Sequence, residues 1–290
     1  MLTLNEKRRP KAEKFQEERH HELARRAASE SAVLLKNSDH ILPLKAGCTV
    51  AVIGDFAVEP RYQGAGSSMV KPTFIETIEK TIVDYGWKVA GISRGYKRTG
   101  EADEVLKKEA LDAAAKADVV LYCFGLDEMN EVEGMDRSHM RIPQNQIELL
   151  QAMVQVNDKI VGILSAGASI EMPWHTCCKA ILHGYLSGQA GASAMLDILS
   201  GKVNPSGRLA ESYPVRYEDT PAFRYFPSTE RNAEYRESIY VGYRYYDTTS
   251  VRVQYPFGFG LSYTEFTYSD LTVDEQGISV LITNTGDRDG

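Results

Sequence analysis

Five carboxylates fall within ten residues: Asp127, Glu128, Glu131, Glu133 and Asp136, in the run Gly125-Leu126-Asp127-Glu128-Met129-Asn130-Glu131-Val132-Glu133-Gly134-Met135-Asp136-Arg137. A carboxyl group serves as a general acid or base near neutral pH when burial or a neighbouring negative charge lets it hold its proton. The same crowding also suits a calcium loop or a solvated acidic turn. The oxygen-ligand spacing of an EF-hand, with its later glutamate, is not met here. Acid/base chemistry and a solvated loop both stay open on the residues alone.

A second candidate is Pro60-Arg61-Tyr62-Gln63-Gly64-Ala65-Gly66-Ser67-Ser68. Its glycines allow close backbone approach, and its hydroxyls can hydrogen-bond a ligand. It is neither a dinucleotide fingerprint, since the glycines do not follow a strand directly, nor a P-loop, since no Gly-Lys-Ser/Thr follows. A sugar-contacting loop and an irregular connection fit it equally. The six histidines show no HExxH or paired ligand spacing, so no metal is expected. No G-x-S-x-G elbow offers a serine nucleophile, and no cofactor is implied.

The elements that must position these loops read as alternating strands and helices. Residues 17–36 form a helical stripe through Leu23, Ala27, Ala28, Val33, Leu34 and Leu35. Apolar runs at 49–54, 87–92, 118–125, 159–165 and 179–185 predict strands, most of them buried on both faces. Between them, residues 73–85, 101–117, 143–156 and 190–199 predict helices, with Val105, Leu106, Ala110, Leu111 and Ala114 facing inward on the second. Strand–helix alternation with short turns implies an α/β fold, a mostly parallel sheet covered on both faces. Ligands of such sheets bind at loops after the strands' carboxyl ends, which singles out 55–72, 126–142 and 166–174. Ten of the 16 tyrosines lie between Tyr213 and Tyr263; this stretch reads as a segment wrapping the sheet, anchored by aromatic rings. Residues 266–273 and 278–284 alternate as a β-hairpin around Glu275-Gln276-Gly277.

The bulk properties narrow the classes. With 290 residues, 43% hydrophobic and 25% charged, the chain is neither disordered, collagen-like nor a coiled-coil rod. Its net charge of −7 and the lack of a basic stripe beyond residue 26 argue against nucleic acid as a partner. No run of 18 apolar residues predicts a membrane span. Cys48, Cys123, Cys177 and Cys178 contain no CxxC pair. Free thiols in a reducing compartment, hence a cytoplasmic location, are the expectation.

Several segments together resemble glycoside hydrolase family 3. They are the stretch from Ala27-Ala28-Ser29-Glu30 through Leu34-Leu35-Lys36-Asn37 to Leu42-Pro43-Leu44; Val50-Ala51-Val52-Ile53-Gly54; Gln63-Gly64-Ala65-Gly66-Ser67-Ser68; Glu133-Gly134-Met135-Asp136-Arg137; Gly188-Gln189-Ala190-Gly191; Asn204-Pro205-Ser206-Gly207-Arg208-Leu209; and Tyr255-Pro256-Phe257-Gly258-Phe259-Gly260-Leu261-Ser262-Tyr263. The resemblance implies a three-layer α/β/α sandwich with a mostly parallel sheet, followed by a truncated, fibronectin III-like β segment. It divides the chain into a lead-in helix and linker at 1–44, the sandwich at 45–212, the Tyr-rich wrapping segment at 213–262, and first fibronectin III-like strands at 263–290. It implies a retaining β-glucosidase-type hydrolase in which an aspartate nucleophile sits on an N-terminal (β/α)8 barrel, absent here. Glu133 matches the acid/base glutamate, with Glu131 and Glu128 as rivals. Gln63, Gly66, Ser67 and Ser68 match a loop on the leaving-group side of the sugar pocket. The implied partners are a β-linked glucoside or oligosaccharide and the barrel. The surface facing that barrel should be an exposed apolar patch, with self-association into a homo-oligomer one way to cover it. Without the barrel the chain is expected to be inactive; a non-catalytic carbohydrate-binding or docking module is the alternative.

Overall fold

The computed structural model describes residues 15–228, 231–232 and 234–290. The charged lead at 1–14 lies outside the described residues. Helix α1 (Glu17–Ser31) leads into strand β1 (Val33–Asn37), and strand β2 (Thr49–Ile53) opens the parallel part of the sheet. There follow short helices α2 (Asp55–Val58) and α3 (Ile78–Thr81), β3 (Lys88–Ser93), α4 (Glu104–Ala114), β4 (Val119–Gly125), α5 (Gln144–Val154), β5 (Ile160–Ser165), β6 (Ala180–His183) and α6 (Gly191–Ser200). The sheet has six strands in the order β1-β6-β5-β4-β2-β3. All neighbours run parallel except β1, which is antiparallel to β6.

The continuous apolar runs form strands because successive side chains enter opposite layers. Val120, Tyr122 and Phe124 of β4 pack with Ala110 of α4 and Leu150 of α5. Val119, Leu121 and Cys123 of the same strand pack with Ala28 of α1 and Leu196 of α6. Two apolar cores, one per face, make the α/β/α sandwich that the resemblance implied.

Local chemistry sets the helix ends. Asp103 accepts hydrogen bonds from the Val105 and Leu106 amides at 3.1 Å each, capping α4 as an N-cap carboxylate should. Gly201 closes α6 in the left-handed conformation at φ +77°. Gln146 of α5 is fully buried; its Oε1 accepts from Gly125 N at 2.9 Å, and its carbonyl accepts from the Tyr122 hydroxyl at 2.8 Å. The carboxyl end of β4 is thereby pinned where the acidic loop departs.

Three expectations need correction. The helical stripe drawn through 17–36 stops at Ser31, and Val33, Leu34 and Leu35 belong to β1, where they alternate between the two cores. Three consecutive buried residues cannot share one helix face, whereas an edge strand between two layers buries them all. The sheet therefore takes in part of the 1–44 segment. The helix expected over 73–85 shrinks to α3 and a 3-10 turn, because the Thr77 hydroxyl caps at Lys80 N and Phe74 and Val83 stay exposed. Val105 is exposed, since the inner face of α4 is made by Ala110, Ala113 and Ala114.

Beyond the sandwich, β7 (Tyr213–Pro214) pairs with β8 (Val253–Tyr255), and Tyr213 and Tyr255 reach the core. A short helix α7 (Tyr243–Thr249), not foreseen in the Tyr-rich stretch, precedes β8. Tyr225, Tyr235, Tyr240 and Tyr243 are exposed, so only part of that stretch anchors. Strands β9 (Phe266–Asp274) and β10 (Gly277–Asn284) form the antiparallel hairpin. Its turn is held by Asp274, which accepts from the Gln276 and Gly277 amides.

His183, at the end of β6, is fully buried. Its Nδ1 donates to Leu164 O at 3.3 Å, and its Nε2 accepts from the Tyr213 hydroxyl at 2.7 Å. Burial pushes its pKa down from 6.5 to about 4. In the unfolded chain the ring protonates near 6.5, so between pH 6.5 and 4 the unfolded state binds the extra proton. Stability due to neutral His183 is complete above pH 6.5 and is lost as pH falls toward 4, about 3 kcal/mol in all. Denaturant unfolding of wild type and His183→Phe across this window should show wild type losing that much more; parallel pH profiles would contradict the assignment.

Candidate active site

In a parallel sheet of this order, the chain leaves β2 for β3 on one side and then crosses to β4 on the other. The loops after β2 and β4 consequently diverge, leaving a crevice beyond their carboxyl ends, the place where ligands bind in open α/β sheets. Each strand runs out on a glycine whose backbone an L side chain rarely adopts: Gly54, directly after β2, at φ +124° and Gly125, the last residue of β4, at φ +145°. A Cβ at either would overlap the carbonyl oxygen of the next strand, Cys123 for Gly54 and Ser165 for Gly125.

The two loops singled out by residue type face each other across this crevice. A parallel bridge joins Ala65 to Val132, and the Ser67 hydroxyl donates to Glu133 Oε2. Gly66 (φ +75°) lies against the same point, where a Cβ would meet that of Glu133 at 3.8 Å. Gln63 and Ser68 are turned inward to their own loop. Gln63 Nε2 donates to Val70 O at 3.1 Å and its Oε1 accepts from Val70 N at 2.9 Å, while the Ser68 hydroxyl donates to Ala65 O at 3.1 Å. These two residues shape the loop that presents Ser67.

The five carboxylates have five different settings. Asp127 is buried and holds a turn, accepting from Asn130 N and Nδ2 at 2.8 Å. Glu128 pairs with Arg98 at 3.2 Å. Both oxygens of Glu131 accept from Gly167 N, at 2.9 and 2.8 Å, and its side chain is 12% exposed. Asp136 lies exposed at the outer end of the loop. Glu133 is exposed at the crevice with the Ser67 hydroxyl as its partner. The structure thus brings Glu133, Gly66 and Ser67 together and commits Glu128 and Glu131 to the protein itself.

Charges beneath the loops extend the arrangement. Asp55, buried at the end of β2, pairs with Arg94 and with Arg98 Nη2 at 2.6 Å. Arg98 carries this pairing on to Glu128. Arg137 is held among Glu131, Glu171 and Glu211, and burial lowers its pKa. Burial raises that of Glu211, against hydrogen bonds from Ser169. Arg61, Arg98 and Gly167 were not singled out from residue type. A lone arginine beside glycines and a distant backbone amide carry no local signal; only the fold joins them to the acidic loop. Around the crevice Met69, Val70, Met129 and Met135 are all exposed, an apolar rim on both loops.

Residues 32–263 match the description "Glycosyl hydrolase family 3 C-terminal domain". The chain belongs to glycosyl hydrolase family 3. This family 3 chain is similar to thermostable β-glucosidase B of Acetivibrio thermocellus, 46% identical over 91% of this chain and 36% of that protein. It is similar also to the exo-α-(1→6)-L-arabinopyranosidase of Bifidobacterium longum, 41% identical over 95% of this chain and 38% of that one. The crystal structure of a family 3 β-glucosidase from Bifidobacterium adolescentis superposes with a TM-score of 0.91 at 43% identity, covering 96% of this chain and 42% of that one. The family 3 chain therefore spans little more than a third of the length of these curated relatives. Among the described residues, no helix is long and apolar enough to cross a membrane, and all four cysteines are free thiols.

Proposed function

We propose that this chain supplies the acid/base carboxyl, Glu133, to a retaining β-glucosidase-type glycoside hydrolase whose attacking carboxylate lies on another segment of the protein. The observation that carries the reading is the setting of Glu133. Of the three candidate glutamates it stands exposed in the crevice between the diverging loops with Ser67 of the facing loop donating to it, whereas Glu128 is tied to Arg98 and Glu131 to the Gly167 amide. Retaining hydrolysis needs two carboxyl groups about 5–5.5 Å apart. In that scheme Glu133 protonates the departing glycosidic oxygen as the other carboxylate attacks the sugar. It then takes a proton from the water that frees the sugar from the enzyme. Ser67, Gly66 and the loop held by Gln63 and Ser68 line the leaving-group side.

The apolar rim of Met69, Val70, Met129 and Met135 supports a second segment, the barrel of the family resemblance, seated over the crevice. A β-glucosidase and an arabinopyranosidase resemble this chain almost equally, which supports placing glycone choice on that other segment. The hairpin β9–β10 is assigned as the opening of a fibronectin III-like domain.

The purified 290-residue chain should show no turnover of 4-nitrophenyl β-glucoside, while the full-length protein that includes the barrel segment hydrolyses it. Saturable hydrolysis by the chain alone, lost in Glu133→Gln, would overturn the division of labour.

A further inference from the structure

Arg61 is the least expected side chain of the site. Its guanidinium is 1% exposed, and Nε, Nη1 and Nη2 all lack a hydrogen-bond partner. Two carboxylates face it just outside hydrogen-bond reach: Glu128 Oε1 lies 3.9 Å from Nε, and Glu131 Oε2 lies 3.8 Å from Nη2. A guanidinium sealed from water needs compensating charge close by. Here both compensating groups belong to the loop that carries Glu133, and both precede it by a few residues.

The other contacts of these glutamates fix them from outside. Arg98 holds Glu128, and the Gly167 amide holds both oxygens of Glu131. Arg61 is the cation that lies between the two and is common to both. Without it, Glu128 and Glu131 lose the one cation they share, and the stem of the loop relies on Arg98, Arg137 and the Gly167 amide.

We propose that Arg61 is a positioning residue for the glycosidase reaction: by holding Glu128 and Glu131 it sets Glu133 where it can protonate the leaving oxygen. The inference rests on the reading of Glu133 as the acid/base group. Its effect should therefore appear where proton donation matters. A displacement of about 1 Å at a reacting group can cost about 10²-fold in rate. Loss confined to substrates that need the proton separates positioning from general damage to the fold.

The test measures kcat/KM of the full-length protein on phenyl and 2,4-dinitrophenyl β-glucosides, the latter having a leaving group that departs without a proton. Arg61→Met should lose about 10²-fold on the phenyl glucoside and less than about 3-fold on the dinitrophenyl one. Arg61→Lys keeps the charge but not the fork, and should lose about 10-fold on the phenyl glucoside alone. Thermal melts establish folding, and if Arg61→Met does not fold, the Arg61→Lys ratio decides. Equal losses on both substrates, or no loss on either, would overturn the proposal. Glu133→Gln is run on the same pair: if it fails to discriminate, the acid/base reading itself falls. If it discriminates and the Arg61 variants do not, only the role of Arg61 falls.

Discussion

Glu133→Gln in the full-length protein is expected to lower kcat/KM on unactivated β-glucosides by about 10²–10⁴-fold, the usual worth of a positioned general acid. Glutamine keeps the shape and can still accept from Ser67, so the loss reports the missing proton rather than a collapsed loop. Glu133→Ala adds a second, sharper readout. With the base gone, the glycosyl-enzyme formed from 2,4-dinitrophenyl glucoside waits for water; azide, which needs no deprotonation, should attack it, restore turnover and yield a glycosyl azide. The rivals are distinguished by the same experiment. Glu131→Ala frees the Gly167 amide, and Glu128→Ala removes one partner of Arg98, which stays paired with Asp55; either change shifts the loop but keeps the Glu133 carboxylate, the proposed base. Neither should be rescued by azide. Rescue of Glu131→Ala but not Glu133→Ala would transfer the acid/base role to Glu131.

Gly125→Ala should be among the most damaging single methyl groups in the sandwich, with Gly54→Ala its counterpart after β2. At φ +145° the backbone is in a region that an L residue enters only under strain, and the added Cβ would overlap the Ser165 carbonyl of β5. That carbonyl cannot retreat freely, because it accepts from Leu126 N at 2.9 Å. Gly125 N is itself tied to the buried Gln146. Backbone strain and overpacking each cost about 1–3 kcal/mol, so a loss of about 4 kcal/mol is expected. For a domain of this size that corresponds to a drop of about 10 °C in Tm. Calorimetry of the chain would check it, and a Tm within about 2 °C of wild type would show that β4 and β5 can separate at no cost.

Much of the sandwich was legible because strands buried on both faces must be apolar at every position. The runs at 49–54, 118–125 and 159–165 admit little else. Strand β1 was hidden by its neighbour: Val33-Leu34-Leu35 follows an amphipathic helix in nearly the right phase, and only pairing with β6 shows that it is a strand. The contraction of the 73–85 helix turned on one hydroxyl, that of Thr77, capping the turn after it. Loop chemistry was legible in residue type but not in partner. Glu128, Glu131 and Glu133 are equivalent by residue type, and only the family resemblance put Glu133 ahead of the other two. What separates them is a hydroxyl 66 residues earlier in the chain and an amide 36 residues later. Arg61 reads as an ordinary surface cation until the fold closes over it.

The pairing of Val33 with His183 also governs how the chain can be made. The first strand of the sheet finds its partner only after about 150 further residues have been synthesised, a wait of roughly 8–30 s at ribosomal rates of about 5–20 residues per second. Throughout that interval an apolar segment with unpaired backbone groups is open to other chains or to a chaperone. Productive folding of the nascent polypeptide thus depends on keeping Val33-Leu34-Leu35 from neighbouring chains until β6 emerges.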